Sequence, residues 1–63
     1  MDYRVTYEYS LLDDPENFMF QVPAQLVSNV PANVPRALLP EFITGIIKHR
    51  SEQIGKIRNL RIL

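Results

Sequence analysis

The chain has 63 residues, no cysteine and one histidine, and its seven acidic side chains balance its seven basic ones. A chain this short buries only ~60% of the surface that its unfolded form exposes, so small domains commonly gain stability from disulfides, metals or association. Composition excludes disulfides and the usual Cys/His zinc sites, which leaves association. Hydrophobic residues make up 46% of the chain, which indicates a globular fold rather than disorder.

Two further features of the sequence bear on its location. Residues 1–4 show no basic region followed by an apolar segment, which is the pattern of a secretory signal. No apolar stretch approaches the ~20 residues that a membrane span needs. Because the chain also lacks cysteine, we expect a cytoplasmic protein that makes no contact with a membrane.

Residues 3–22 alternate between apolar and polar side chains in two stretches. The apolar positions of the two stretches are Tyr3, Val5, Tyr7 and Tyr9, and then Phe18, Phe20 and Val22. Such alternation with aromatic and β-branched residues is typical of strands. Between the stretches, Asp14 and Pro15 suit the first two positions of a type I turn. We therefore predict a β-hairpin in which residues 3–11 pair with residues 17–22.

A proline-rich connection follows at residues 23–39. Pro23, Pro31 and Pro35 punctuate it, and each favours extended backbone at the residue that precedes it. Within this connection, residues 24–28 are compatible with one helical turn or with a short third strand.

From Pro40 onward the spacing of the apolar residues becomes that of a helix. Pro40 suits the first helical turn, and Glu41 complements the helix dipole there. The apolar side of the pattern consists of Leu39, Phe42, Ile43, Ile46, Ile47, Ile54 and Ile57. We predict an α+β domain in which the hairpin packs against one long amphipathic helix over residues 40–58, with Phe20, Ile43 and Ile46 in the core. Alternatively, Gly55 ends the helix and leaves residues 56–63 as a short closing strand.

Charge is segregated along the chain. Residues 1–35 carry a net charge of −4 and residues 36–63 carry +4. Two arrangements fit this pattern. Either the two halves pack together and neutralise each other, which we favour, or they form two faces of opposite sign that stack head to tail.

Residues that could support catalysis or ligation are isolated in the sequence. His49 has Glu52 and Gln53 one helical turn away, but the chain has no cysteine, and a lone histidine between Lys48 and Arg50 is more typical of a solvated helix position than of a catalytic site. Asp13, Asp14 and Glu16 lack the spacing and the glycine of an EF-hand loop, and turn chemistry accounts for them. We therefore expect no enzyme, no metal site and no cofactor.

The apolar residues exceed what one hairpin and one helix can cover, so we expect a homodimer or a partner protein. The candidate interface residues are Tyr3, Tyr7, Tyr9, Phe42, Ile46, Arg50, Ile54 and Ile57. On a continuous helix Arg50 lies among isoleucines. We expect its stem to pack there while the guanidinium reaches the edge of an interface or meets a carboxylate, such as Glu8 or those of residues 13–16, although a helix ending nearby would turn Arg50 to water.

Nucleic acid is the alternative partner. The candidate phosphate contacts are Lys48, Arg50, Lys56, Arg58 and Arg61, and the three tyrosines could stack on bases. A net charge of zero disfavours this alternative, because dedicated nucleic-acid binders are usually strongly basic.

In its size and its lack of catalytic motifs, the chain resembles the small accessory proteins of phages and mobile elements. That resemblance implies a protein that acts by occupying a surface of a host protein. We therefore expect a small non-enzymatic protein–protein interaction module that serves as an accessory protein, an inhibitor or a regulator. The alternative is a small nucleic-acid-binding or transcription-regulatory protein that uses the basic C-terminal segment.

Overall fold

A computed structural model that describes residues 1–63 shows an antiparallel sheet with one helix packed on it, so the α+β class is confirmed. In chain order the elements are β1 (Tyr3–Leu11), β2 (Asp14–Phe20), β3 (Gln25–Val27), a 3₁₀ turn (Arg36–Leu38), α1 (Leu39–Arg50) and β4 (Ile54–Ile62). The ambiguous stretch at residues 24–28 is therefore a short third strand.

Strand β1 is the centre of the sheet. Along one edge it pairs with β4, from Val5 opposite Ile62 to Leu11 opposite Ile54. Along its other edge it pairs first with β3 and then with β2. Strands β2 and β3 are therefore successive segments of one edge, separated by the cis peptide bond between Val22 and Pro23.

The predicted hairpin is confirmed, but its turn is shorter than expected. Leu11 pairs with Asp14, so the turn consists of Leu12 and Asp13 alone. Residues 14–16, which we assigned to the turn, form the start of β2. Pro15 fits there because β2 lies at the edge of the sheet, where a missing backbone N–H costs no ladder bond.

The predicted helix over residues 40–58 is wrong in its C-terminal part. Helix α1 ends at Arg50, and the N–H of Ser51 donates to the carbonyl of Ile47 at 3.0 Å. The chain then returns as β4, whose isoleucines suit a strand at least as well as a helix. Without β4, one whole edge of β1 would have no partner, so the tertiary context decides between the two structures.

The alternative with a closing strand was right about the strand and wrong about where it begins. Gly55 does not cap the helix but lies within β4, at a bulge where the register with β1 shifts. A Cβ atom at Gly55 would lie 3.2 Å from the carbonyl oxygen of Leu11. This close approach of two backbones explains a glycine at this position.

The core lies between α1 and one face of the sheet. Its buried apolar members are Val5, Tyr7, Val27, Val30, Leu39, Ile43 and Ile47. The prediction for Ile43 is confirmed, and Ile46 is half-buried at the margin of the core. The prediction for Phe20 is wrong, since 74% of that residue is exposed. No helix in the structure has the length and apolar character that crossing a bilayer requires.

Candidate interaction surface

Helix α1 covers one face of the sheet and leaves the other uncovered. Alternation along β1 places Arg4, Thr6 and Glu8 on the uncovered side. The register gives these residues neighbours from every other strand. We call the resulting surface the open face; its side chains are Arg4, Thr6, Glu8, Phe18, Phe20, Val22, Leu26, Lys56, Arg58 and Arg61.

A row of apolar side chains follows the β2–β3 edge of the open face. Phe20, Val22 and Leu26 are exposed over 74%, 76% and 54% of their surface. Phe20 pairs with Glu8 and Leu26 pairs with Arg4, which fixes both on this side of the sheet. Contiguous exposed apolar residues of this size are typical of interaction sites rather than of ordinary surface.

A charged network occupies the middle of the open face. The Arg58 guanidinium donates to Glu8 Oε1 from Nη2 at 3.0 Å and from Nε at 3.2 Å. The same guanidinium lies 3.7 Å from the centre of the Phe18 ring, which adds a cation–π contact. The network therefore orders Arg58 between an aromatic ring and a carboxylate.

Asn59 completes the network from a bulge in β4. Its φ of 53° lies in the left-handed region, which asparagine tolerates better than most residues. Its side-chain amide donates to Glu8 Oε2 at 2.5 Å. The hydrogen bonds from Asn59 and Arg58 lower the pKa of Glu8 below its ordinary value of 4.5, so Glu8 is ionised at neutral pH.

Beside this network lies a depression of about 460 Å³. Phe20 and Val22 form an apolar wall, and Asn59 and Arg61 form a polar wall. Thr6 and Glu8 lie in the lining between them, and the carboxylate of Glu8 is already engaged by Arg58 and Asn59. The ion pairs of the structure join Arg58 to Glu8 and Lys56 to Glu16. Arg61 therefore brings an unpaired positive charge to a partly apolar site.

The open face is polarised along its length. At the end near the β1–β2 turn, Asp13 and Asp14 are exposed, and Asp14 accepts a hydrogen bond from the Asn17 amide at 2.8 Å. At the other end, Arg4 and Arg61 carry unpaired positive charge. Both ion pairs join the acidic half of the chain to the basic half. This agrees with the favoured arrangement, in which the two halves pack together and neutralise each other.

The three predicted interface tyrosines lie on the covered side. Tyr7 is buried and donates a hydrogen bond to the side chain of Gln25, and burial raises its pKa above 10.0, with a further contribution from Tyr9. Tyr3 and Tyr9 are half-buried and pack against the core. The Tyr7 and Tyr9 rings meet edge to face with centres 6.1 Å apart. These tyrosines therefore serve mainly to fill the core.

The other predicted interface residues do not form one surface. Ile46, Ile54 and Ile57 are half-buried around the core, whereas Phe42 is exposed on α1. Arg50 is the last residue of α1 and is exposed. The placement among isoleucines is wrong and the alternative, in which a helix ending nearby turns Arg50 to water, is right, because α1 ends at this residue and Ile54 belongs to a strand.

The five predicted phosphate contacts fall into two groups. Lys48 and Arg50 lie in the last turn of α1 with His49, whereas the other three, Lys56, Arg58 and Arg61, lie on β4. Two of the β4 cations are engaged by carboxylates. The structure contains no group of three or more His, Cys, Asp or Glu side chains placed to hold a metal ion.

Both edges of the sheet are poorly suited to adding another strand. Pro15 interrupts β2, and Pro23 separates β2 from β3. On the opposite edge, β4 carries register shifts around Gly55 and Asn59. Prolines and bulges protect sheet edges from pairing, so the open face is the better candidate for docking.

The largest concave feature lies at one end of the covered side. This groove of about 620 Å³ is lined mainly by apolar residues, among them Tyr3, Leu39 and Ile62, with Arg36 as its charged residue. It lacks the combination of exposed aromatic and paired charges that marks the open face.

Sequence reasoning missed Arg4, Thr6, Phe20, Val22 and Leu26 as members of a candidate site. The signal was the shared phase of Phe18, Phe20 and Val22. Alternation shows that these three residues lie on the same side of their strand. Which side of the sheet that is depends on the pairing of Phe20 with Glu8, which alternation alone does not reveal. Comparisons with protein-family models, with curated proteins and with solved structures found no match to this chain.

Proposed function

We propose that this chain is a small non-enzymatic protein–protein interaction module and that the open face is its docking surface. The observation that carries the proposal is the exposed row of Phe20, Val22 and Leu26 on a face without a covering helix. Aromatic residues and arginine are enriched at protein interfaces and dominate their binding energy. The ordered Arg58 and the unpaired Arg61 place such residues beside the apolar row.

The depression also indicates the chemistry of a suitable partner. Its apolar wall favours an aliphatic or aromatic side chain, and Arg61 favours a carboxylate next to that side chain. A partner that presents both groups within a few residues satisfies the two walls together. As an accessory protein, the module acts by covering the surface that carries this pattern.

Phe20 and Phe42 provide a matched pair for the test. Both are exposed phenylalanines, but Phe20 lies on the open face and Phe42 lies on α1. A photoreactive phenylalanine analogue is placed at each position in turn, cells of the source organism are irradiated, and adducts are identified by mass. We expect position 20 to cross-link to one protein, which is either a second copy or another chain.

The binding step then uses the purified partner. We expect Phe20→Ser to weaken binding at least about tenfold, the range of an interface hot spot, and Phe42→Ser to leave it within about twofold. Thermal unfolding verifies that both variants stay folded. Equal cross-linking at the two positions, or equal binding by the two variants, would show that the open face is not the docking surface.

One observation favours a second candidate function, the binding of single-stranded nucleic acid. Phe20 and Arg61 line the same depression, and an exposed ring beside a cation is the arrangement on which bases stack. Titrations with mixed single-stranded oligonucleotides at increasing salt distinguish the two functions. Phosphate contacts would give a slope of about −0.7 per contact in log K against log salt, and Arg61→Glu would reduce it. We expect no such binding.

A further inference from the structure

We infer that a second copy of this chain docks on the open face, with the β1–β2 turn of each copy seated in the depression of the other. The inference rests on the proposed function, since it takes the open face to be a protein-binding surface and names its partner. The inference is based on the charges and the exposed apolar side chains at the two ends of the open face.

The β1–β2 turn has the chemistry that the depression selects. Leu12 is 65% exposed, although it lies between a paired strand end and two acidic residues. Asp13 and Asp14 follow it directly and are exposed. An apolar side chain followed by two carboxylates matches an apolar wall and an unpaired Arg61.

A two-fold axis brings the acidic end of each open face against the cationic end of the other. If the axis lies between two open faces and perpendicular to the strands, the strand direction reverses from one copy to the other. The acidic end of each face then lies over the cationic end of its partner. An arrangement with parallel strands would instead place Arg4 and Arg61 of both copies close together, which like-charge repulsion opposes.

The dimensions of the chain allow this contact. Leu12 lies six positions beyond Thr6, just past the end of β1, which corresponds to roughly 20 Å along the strand. An axis halfway between them places each turn over the opposite depression at the same time. The molecule measures 35 × 20 × 18 Å, so its broad face is comparable with the ~800 Å² per partner that a stable interface buries.

A pair of complementary charge reversals tests the contact. One variant carries Asp13→Lys with Asp14→Lys, and the other carries Arg4→Glu with Arg61→Glu. Each variant alone sets like charges against each other at both contacts, whereas a mixed dimer restores opposite charges at both. Sedimentation equilibrium, from micromolar to millimolar concentration, measures the mass of each sample.

We expect the parent chain to sediment at about twice its 7.3 kDa monomer mass. Each charge-reversed variant should dissociate at least about tenfold more readily than the parent, and an equimolar mixture of the two should regain dimers. The matched control reverses two exposed charges on α1, Glu41→Lys with Lys48→Glu, and should dimerise like the parent. Circular dichroism verifies the fold of every variant.

Several results would overturn the inference. They are a monomeric parent chain, charge-reversed variants that dimerise unchanged, or a mixture that stays monomeric although both components are folded. If position 20 still cross-links to a different protein in any of these cases, the proposed function stands and only the identity of the partner is wrong. If position 20 cross-links no better than position 42, the proposed function fails as well.

Discussion

The two faces of β1 differ in what their side chains do. On the covered side, Val5 and Tyr7 are buried beneath α1, with 0% and 4% of their surface exposed. On the open side, Thr6 and Glu8 alternate with them but line a depression and a charged network. One strand thus supplies the core with one set of residues and a candidate binding surface with the other.

This difference indicates that stability and binding are separable in a very small protein. Apolar burial stabilises by roughly 25 cal/mol per Å², and nearly all full burial lies on the covered side. Side chains of the open face can therefore change with little effect on the fold. Substitutions that compare matched positions on the two sides test whether this separation holds.

The largest difference should appear between Ile43 and Phe20. Ile43 is fully buried on α1, so Ile43→Ala should lower the free energy of unfolding by ~2–5 kcal/mol, a large part of the stability of such a domain. At protein concentrations low enough to keep the chain monomeric, Phe20→Ala removes a larger but exposed side chain and should change the free energy of unfolding by less than about 0.5 kcal/mol. Chemical denaturation with urea measures both values.

The comparison includes its own control, because both variants are truncations to alanine of a large apolar residue. In the monomer, a loss at Phe20 as large as that at Ile43 would show that the open face is covered within one chain. Repeating the measurement at concentrations at which dimers form should enlarge the loss at Phe20, since only cover by a second copy depends on concentration.

On the covered side, part of the structure could be predicted from the sequence. Alternation predicted the hairpin, and the position of Ile43 in the helical period predicted its burial. The same helical spacing wrongly extended the predicted helix beyond Arg50, because Ile54 and Ile57 happen to fall on the apolar side of that pattern. Only the unpaired edge of β1, which is a property of the whole sheet, assigns those residues to a strand.

The open side was less predictable. Phe20 has the same sequence pattern as a core residue, and its exposure follows from its register with Glu8. The pairing of Arg58 with Glu8 joins residues fifty positions apart. Net charge suggested that the two halves meet, but neither composition nor period indicates which side chains do so.

The two glycines offer a second comparison, between the sheet and the helix. At Gly55 a Cβ would press on the backbone of Leu11 at 3.2 Å, so Gly55→Ala should destabilise the fold by about 1 kcal/mol or more. At Gly45, on the exposed side of α1, a Cβ meets nothing within 4 Å. Gly45→Ala should stabilise by roughly 0.5–1 kcal/mol. Thermal unfolding should show shifts of opposite sign.

A third prediction concerns the stability of the fold at acidic pH. The pKa of Glu8 is lower in the folded chain than its ordinary value of 4.5, so its ionised form favours folding. That contribution is complete well above pH 4.5 and is lost as the pH falls through the lowered pKa. Glu8→Gln should therefore weaken the dependence of stability on pH in this acidic range and leave the alkaline range unchanged.

Tyr7 provides the matched contrast from the covered side. Its raised pKa opposes ionisation in the folded chain, so stability should fall as the pH rises above 10.0, and Tyr7→Phe should remove that part of the fall. Denaturation series over the acidic and alkaline ranges measure both effects. An acid response that Glu8→Gln leaves unaltered would contradict the role assigned to the Asn59 and Arg58 hydrogen bonds.

The smallest effect is expected for Ser10→Ala, at a position where the two faces of β1 are hardest to tell apart. Alternation places Ser10 on the open side with Glu8, yet it is fully buried and its hydroxyl has no hydrogen-bond partner. Lys56 and Glu16 come from strands on opposite sides of β1, and their ion pair of 3.8 Å must cross over this strand. A small residue beneath the crossing leaves room for these side chains.

Two substitutions separate the size of Ser10 from its polarity. Ser10→Ala keeps the space and removes a buried hydroxyl without a partner, so it should leave the free energy of unfolding unchanged or raise it by up to about 1 kcal/mol. Ser10→Leu fills the space and should destabilise by ~1–3 kcal/mol. Urea denaturation measures both. A clear loss of stability in the alanine variant would mean that the hydroxyl has a partner in solution, whereas tolerance of leucine would mean that the side chains above β1 pack loosely and the open face extends over Ser10.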